Sequence, residues 1–384
     1  MIDSVLKGNG NSRFLKSAVP AGTSWPEALA MLQAGTFPVD FNGINTEGFQ
    51  QVGTPLNKAN LLKDSTAGII SLPASATPDE MFSALSRLTG ITYVLAGNGV
   101  TVTATNGDIA KNTIANNDGI AEIYGLGYGD WELSATISGN RKTKTISIDV
   151  LGIRYLSLLS LNDLSWARID SLGAAGVLGK MFALGDTKDV TLSGIGTMTL
   201  QIADFDHDYL SGATTANKAA VTFLCKNLLY QTYRMNSGDT NSGGFPSSSL
   251  CSALNGSIYN ALPSDLKAVI KTAYKWYGTG NNTTNGKWSG HKLWLPLTFE
   301  MFGESSYSPA TEHTTGNARQ YPIFTGNASR IKKMNNGGGS AQWYWLASPN
   351  ATYATYFCYV TDDGSSYYYA DASNSTGVCF GLCV

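Results

Sequence analysis

Residues 343–384 read WYWLASPNATYATYFCYVTDDGSSYYYADASNSTGVCFGLCV. At the end of this stretch Val378, Phe380, Leu382 and Val384 alternate with Cys379, Gly381 and Cys383, the period of a β-strand. So apolar a segment belongs inside a sheet. The part ahead of it has the opposite character. From Met334 to Val384 there is no lysine, arginine or glutamate, and Asp362, Asp363 and Asp371 are the only charged residues. Seven of the chain's 19 tyrosines fall within 344–384, among serine, asparagine and glycine. Two readings follow: a strand face half packed and half wet, or a recognition surface, since tyrosine offers a large amphipathic contact area with few torsions to freeze. Tyr367, Tyr368 and Tyr369 cannot all face one core in a regular strand, because neighbours point to opposite sides. At least one of them is therefore exposed, on an edge or a surface loop.

With 384 residues, 43% of them hydrophobic, the chain can bury two or three cores. A net charge of −2 and only 14% charged residues, with no basic cluster, argue against a nucleic-acid partner. No stretch has the roughly 18 uninterrupted apolar residues that span a bilayer, so membrane insertion is not expected. The opening MIDSVLKGNGNSRF lacks the apolar region of a signal peptide, and folding in the cytoplasm of the producing cell is the expectation. The five cysteines do not form a disulfide framework. Cys379 and Cys383 are four strand positions apart, roughly 13 Å, too far to bridge. All five are expected to be buried thiols.

Three composition regimes succeed one another. In residues 1–87, Ser24 caps SWPE and Thr77 caps TPDEMFSALSRL, where Met81, Phe82, Leu85 and Leu88 recur at helical spacing. This helical and irregular region has too little apolar material for its own core and needs neighbours. In residues 88–151 the period becomes two, as in TVTAT, GIAEIYGL and TKTISIDV, with Ile146, Ile148 and Val150 on one face. Turn dipeptides punctuate these runs, which predicts a small β-sandwich with Trp131 in its core. Residues 152–384 mix both periods. There SLCSALNGSIYNALPSDLKAVIKTAYKWYG predicts two helices broken at Pro263, the second burying Leu266, Val269, Ile270 and Ala273. The class is multidomain and mostly α+β.

Catalytic chemistry finds little support. In DFDHD, Asp204, Asp206 and Asp208 match the first ligands of a calcium loop, but its glycine position is Tyr209 and its glutamate position Thr215. These carboxylates and His207 are better read as satisfying loop amides or one another, although the three aspartates are the best metal candidate the sequence offers. The three histidines, His207, His291 and His313, accompany no nucleophile elbow or Cys/His signature. NNGGGS at 335–340 lacks the lysine of a phosphate loop. No enzyme activity and no cofactor are expected.

Several pieces of the last region fall in order: LSWARI, FALGDTKDV, IADFDHDYL, GGFPSSSLCSALN, LPSDLKAVIK, KLWLPLTFEMFG, WYWLASP and GVCFGLCV. Together they resemble a bacterial and phage family with a C-type-lectin-like fold, related to the formylglycine-generating-enzyme shape. In that family, WLASP followed by an asparagine- or tyrosine-rich stretch resembles the variable region of proteins diversified by a retroelement that randomises template adenines. The lectin motifs Glu-Pro-Asn and Trp-Asn-Asp are absent, so calcium-dependent sugar binding does not carry over; nor can any cysteine arrangement be matched to the oxidase branch.

The resemblance implies a codon rule. Asparagine codons altered at their first two positions yield tyrosine, serine, aspartate and threonine, but never lysine, glutamate, glutamine, methionine or tryptophan, and none of these occurs after Trp345. Gln342, Trp343 and Trp345 are then fixed scaffold. The implied ligand-binding positions, in a variable region of about 343–376, are Tyr344, Asn350, Tyr353, Thr355, Tyr356, Tyr359, Thr361, Tyr367, Tyr368, Tyr369, Asp371, Ser373 and Asn374. GTPLNKANLL near the N-terminus is similar to a segment of phage tail and baseplate proteins, and 88–151 to immunoglobulin-like modules of tail fibres. The implied protein is a phage tail-tip receptor-binding protein, carried on the virion. Residues 1–87 would attach it to other tail proteins, 88–151 would act as a spacer, and 152–384 would meet a bacterial surface protein or glycan. A homotrimer is the usual expectation for tail fibres. The alternatives are a prophage- or plasmid-encoded cellular ligand-binding protein of the same fold and, further off, a metal-dependent enzyme.

Overall fold

A computed structural model describes residues 90–150, 152–211, 217–335 and 339–384. The capped helices expected in 1–87 lie outside the described residues. Strand outweighs helix, at 39% against 18%, and is spread over several small sheets. Among the described residues two compact units interleave in sequence: one takes 90–91, 124–129, 148–150 and 152–153, the other takes 92–123, 130–147 and the described part of 154–384.

The period-two runs form strands. Thr101–Asn106 pairs with Ile109–Ile114 and with Gly129–Ile137, and Asn140–Ile148 completes a four-stranded sheet. Val102 and Ala104 are buried while Thr101 is exposed, as alternation requires. Trp131, Leu133 and Ala135 are buried at every second position of the third strand. A three-stranded sheet joins Ile120–Tyr124, Ile91–Leu95 and Ile153–Ser157. The face expected to run through Ile146, Ile148 and Val150 stops early. The strand ends at Ile148, and Val150 is 65% exposed.

Beyond residue 154, Ser165 caps the helix Trp166–Ala174 by accepting from the Arg168 amide, and Trp166, Ile169 and Leu172 form its buried stripe. A four-stranded antiparallel sheet then runs in the order Gly381–Cys383, Val221–Cys225, Gly196–Phe205, Thr187–Leu192. Its closing strand is covered on its outer side by bridges from Lys271 and Trp294, so the apolar segment is fully interior. Glycine is required at Gly381, because a Cβ there would meet the Trp294 ring at 2.4 Å. All five cysteines are free and buried.

The two helices around Pro263 are shorter than their apolar spacing suggests. The first passes from Ser249–Ala253 through a wide π turn at Leu254–Ile258 to Tyr259–Ala261; the second covers only Ser264–Val269. Leu266 and Ile270 are buried, but Ala273 lies instead in the strand Ala273–Gly278, paired with Gly286–His291. The aromatic run Tyr274, Trp276, Tyr277 favours a pleated surface over another helical turn. The last sheet joins Tyr344–Pro349, Tyr356–Val360 and Ser366–Asp371, with the tyrosine-bearing strand at its edge.

Candidate functional site

The strand Ser366–Asp371 pairs with Tyr356–Val360 through Val360↔Ser366, Tyr359↔Tyr367, Phe357↔Ala370 and Tyr356↔Asp371. Between the middle two pairs the inner strand contributes Cys358 alone, whereas the edge strand contributes both Tyr368 and Tyr369. That extra residue is a β-bulge. It breaks the alternation expected of three adjacent tyrosines, whose rings all lie within reach of one another. The Tyr368 and Tyr369 centroids are 4.1 Å apart, Tyr367 and Tyr368 5.5 Å, and Tyr367 and Tyr369 5.9 Å.

From this centre the aromatic surface extends both ways. Tyr369 lies 6.0 Å from Tyr353 and 5.4 Å from Tyr356, and Tyr368 stacks on Tyr307 at 4.0 Å. In the other direction Tyr367 meets Tyr359 edge-on at 5.7 Å, and Tyr359 lies 5.2 Å from Trp343. Hydroxyl contacts tie Tyr353 to Tyr369 and Tyr369 to Tyr368, and hydrogen bonding raises the phenol pKa of Tyr353 and Tyr369. Trp343, Tyr353, Tyr367, Tyr369 and Tyr307 are each between 42% and 49% exposed. So many half-open rings in contact constitute an apolar patch of the kind that marks interaction sites.

Most predicted site residues stand around the patch, three are interior and one, Thr361, is taken up by a turn. Tyr353, Thr355, Tyr356, Tyr367, Tyr368, Tyr369, Asp371, Ser373 and Asn374 are exposed or half-buried around the patch. Tyr344, Asn350 and Tyr359 are interior. Tyr344 is sealed in the core with its hydroxyl donating to the Arg330 carbonyl at 2.7 Å, so a ligand-facing role for it is corrected to a structural one. Asn350 turns its Oδ1 onto the amides of Thr352 and Tyr353, which shapes the loop. Tyr359 is buried under Trp343 and Tyr367, and burial pushes its phenol up to about 12. Thr361 is engaged in the turn 361–365, where its hydroxyl donates to Asp363 and accepts from the Ser365 amide. Trp343 and Tyr307 were missed. The codon rule places the first in the scaffold, because tryptophan cannot arise by the implied diversification, and the second lies in GESSYSPA, where nothing local signals it.

The patch is held from beneath. Fully buried Asn241 donates through Nδ2 to the carbonyls of Tyr353 (2.7 Å) and Tyr356 (2.8 Å), its amide donates to Ala354, and its Oδ1 accepts from Asn281. At the other end Arg330 donates to the Gly364 carbonyl at 2.9 Å. Gly364 has a φ of +83°, and a Cβ there would meet the Asn327 carbonyl at 2.1 Å, so the turn requires glycine. Trp345 donates its indole N–H to Tyr233 O, a fixed point under the sheet.

The remaining polar clusters are self-satisfied. In DFDHD, Asp204 accepts from His207 Nδ1 at 2.7 Å, Asp206 is exposed, and Asp208 points inward, so the three carboxylates belong to separate environments. Among the described residues, His207, Asp208 and Glu300 have ligand atoms within 4.8 Å of one another. The position a cation would take between the two carboxylates is supplied by the chain itself: Lys275 Nζ donates to Asp208 Oδ1 and Glu300 Oε1 and lies 3.9 Å from the centre of the Trp294 ring. Burial pushes the Asp208 carboxyl up, but Lys275, His207 and the Thr222 hydroxyl outweigh it and hold it at about 2.

Cys251 Sγ lies 3.5 Å from His291 Nδ1, a contact that sequence spacing did not reveal. Burial pushes the thiol up to about 12 and the imidazole down to about 4, so both are neutral at pH 7. That polarity is the reverse of the thiolate–imidazolium pair of a cysteine nucleophile. Glu312 is fully buried, accepts from Ser348 Oγ and the Gly278 amide, and is pushed up to about 8 by burial. No helix among the described residues is long and apolar enough to cross a membrane.

Comparison with known proteins adds little to this geometry. No curated protein matches the chain. Among solved structures it is similar to a fimbrial protein from Bacteroides ovatus ATCC 8483, at 7% identity and a TM-score of 0.23, over 77% of this chain and 69% of that one. Residues 219–384, which contain the whole aromatic surface, match a family described as a domain of unknown function, DUF6273.

Proposed function

We propose that this protein is a phage tail-tip receptor-binding protein whose tyrosine-rich surface holds a ligand on the bacterial exterior. In this reading residues 1–87 attach it to the particle, 88–151 form an immunoglobulin-like spacer, and 152–384 form a C-type-lectin-like domain with a diversified region of about 343–376. One observation carries the proposal: a cluster of half-exposed rings, joined to Trp343 through buried Tyr359, rests on side chains that are themselves locked. Aromatic anchors of this sort dominate binding energies at interfaces. Asn241, Arg330 and Trp345 fix the backbone beneath them, which limits the ordering cost on binding.

The test is adsorption of the purified full chain to host cells. Tyr367→Ala with Tyr369→Ala is expected to weaken adsorption by on the order of tenfold or more, with the circular dichroism spectrum and unfolding midpoint unchanged. Undiminished adsorption of that double variant would count against the reading.

A further inference from the structure

The aromatic surface has carboxylates at both ends, and the cation bonded to its 361–365 turn, Arg330, spends its Nε–H on the Gly364 carbonyl. At one end the Trp343 indole donates to Asp362 Oδ1 at 3.2 Å, and Asp363 follows in the same turn. At the other, Asp371 is the register partner of Tyr356 and lies two residues beyond Tyr369, while the neighbouring Asp239 accepts from the Ser373 amide at 3.2 Å. None of the ion pairs among the described residues involves these four aspartates. Asp371 has no side-chain partner at all among the described residues. Three cations flank the region, Arg330 bonded to the Gly364 carbonyl beside Asp363, Arg234 opposite Ser375 and Lys333 opposite Ala341, and none forms an ion pair with these aspartates.

Tyrosine π faces attract ammonium and guanidinium groups, and adjacent carboxylates add to that attraction. Building on the receptor-binding reading, we infer that the surface takes a protein partner through exposed arginine or lysine side chains. The rings from Trp343 to Tyr353 would stack on these side chains, and Asp362, Asp363, Asp371 and Asp239 would receive their charge. A neutral glycan would stack on the rings and donate hydroxyls to the aspartates, but would bring no charge to neutralise theirs.

Binding of the full chain to a tetra-arginine peptide and to its uncharged tetra-citrulline counterpart separates these cases. The expected result is at least about tenfold preference for arginine, falling with added salt. Tyr367→Ala with Tyr369→Ala, and separately Asp362→Asn with Asp371→Asn, should each reduce that preference several-fold. A control with Asp108→Asn and Glu132→Gln, which removes equal charge from another sheet, should leave it intact. Equal binding of the two peptides overturns the inference, as does loss of the preference in the control to the same degree. Host-cell adsorption tells the two proposals apart. If the tyrosine variant loses adsorption while the Asp362→Asn/Asp371→Asn variant keeps it, the surface is a receptor site without a cationic partner; if both keep it, the receptor reading fails as well.

Discussion

Tyr344 and Tyr369 belong to one sheet, yet the first is 0% and the second 46% exposed, and substitution should separate them cleanly. Tyr344→Ala empties a core position and abandons the Arg330 carbonyl, which should cost roughly 3–5 kcal/mol in urea unfolding; Tyr369→Ala should leave the unfolding midpoint in place and act on binding alone. Sequences of sibling genomes offer a parallel check. Variation confined to 343–376 should fall at Tyr353, Thr355, Tyr356, Tyr367–Tyr369, Asp371, Ser373 and Asn374 and spare Tyr344 and Tyr359; substitutions scattered along the chain would remove the diversification argument. Glu312 supplies a prediction in pH. Its folded pKa of about 8 lies above the ordinary 4.5, so its contribution is complete below pH 4.5 and is lost as pH rises towards 8. Stability should decline by on the order of 1 kcal/mol per pH unit across that window. Glu312→Gln, which cannot ionise, should flatten the slope in denaturant titrations at pH 5, 6, 7 and 8. An unchanged slope would place the pH dependence elsewhere.

Elements decide which tyrosines meet. The closing strand was legible in the sequence because its apolar residues alternate over seven positions and the fold buries them, and the same holds for Val102 with Ala104 and for Trp131 with Leu133 and Ala135. The bulge in Ser366–Asp371 was not, since nothing in SSYYYAD states that two residues will oppose Cys358; the pairing register is set by the neighbouring strand. The helix after Pro263 was overextended for a related reason: Ala273 keeps the apolar spacing of a helix, but its strand partner His291 lies 18 positions away in sequence. Tyr307 and the Cys251–His291 contact were equally invisible, because each joins segments brought together only by tertiary packing. Asn241 is the point at which loop and strand are joined, so Asn241→Ala should have two effects. Leaving the Tyr353 carbonyl without its Asn241 donor, and the Tyr356 carbonyl with the Asn350 amide alone, should lower stability by about 1–3 kcal/mol. It should also raise hydrogen exchange at the amides of residues 350–356 specifically; protection there equal to the parent chain would show that the loop is held by its rings rather than by Asn241.

At the scale of the whole chain, the Lys275 cluster unites segments that are far apart in sequence. Lys275 comes from Ala273–Gly278, Asp208 from the loop after Gly196–Phe205, Glu300 from the helix Thr298–Phe302, Thr222 from the central strand, and Tyr321 donates to Asp208 at 3.0 Å. Cys383 of the closing strand lies 3.8 Å from the same carboxylate. One buried ammonium thus compensates two buried acids, and the hydrogen bonds around them fill the remaining valences. Such a cluster is costly to assemble, but removing one member costs more, since the others are left charged without water. In the parent chain Asp208 is held at about 2, below its ordinary 3.8, so its contribution is present above pH 3.8 and is lost only as pH falls through about 2. Lys275→Met inverts this. With the ammonium gone, burial is opposed at Asp208 by His207 and the Thr222 hydroxyl, so its carboxyl rises, and Glu300, which burial already raises in the parent, rises further. The variant should be about 3–5 kcal/mol less stable at pH 7 and should regain stability on acidification to pH 5, where the parent gains nothing from Asp208. Trp294 stacks against Lys275, so its fluorescence reports the transition directly in urea titrations at the two pH values. A variant as stable as the parent at pH 7 would mean that the two acids are already protonated in the folded chain, with Lys275 serving only as packing against Trp294.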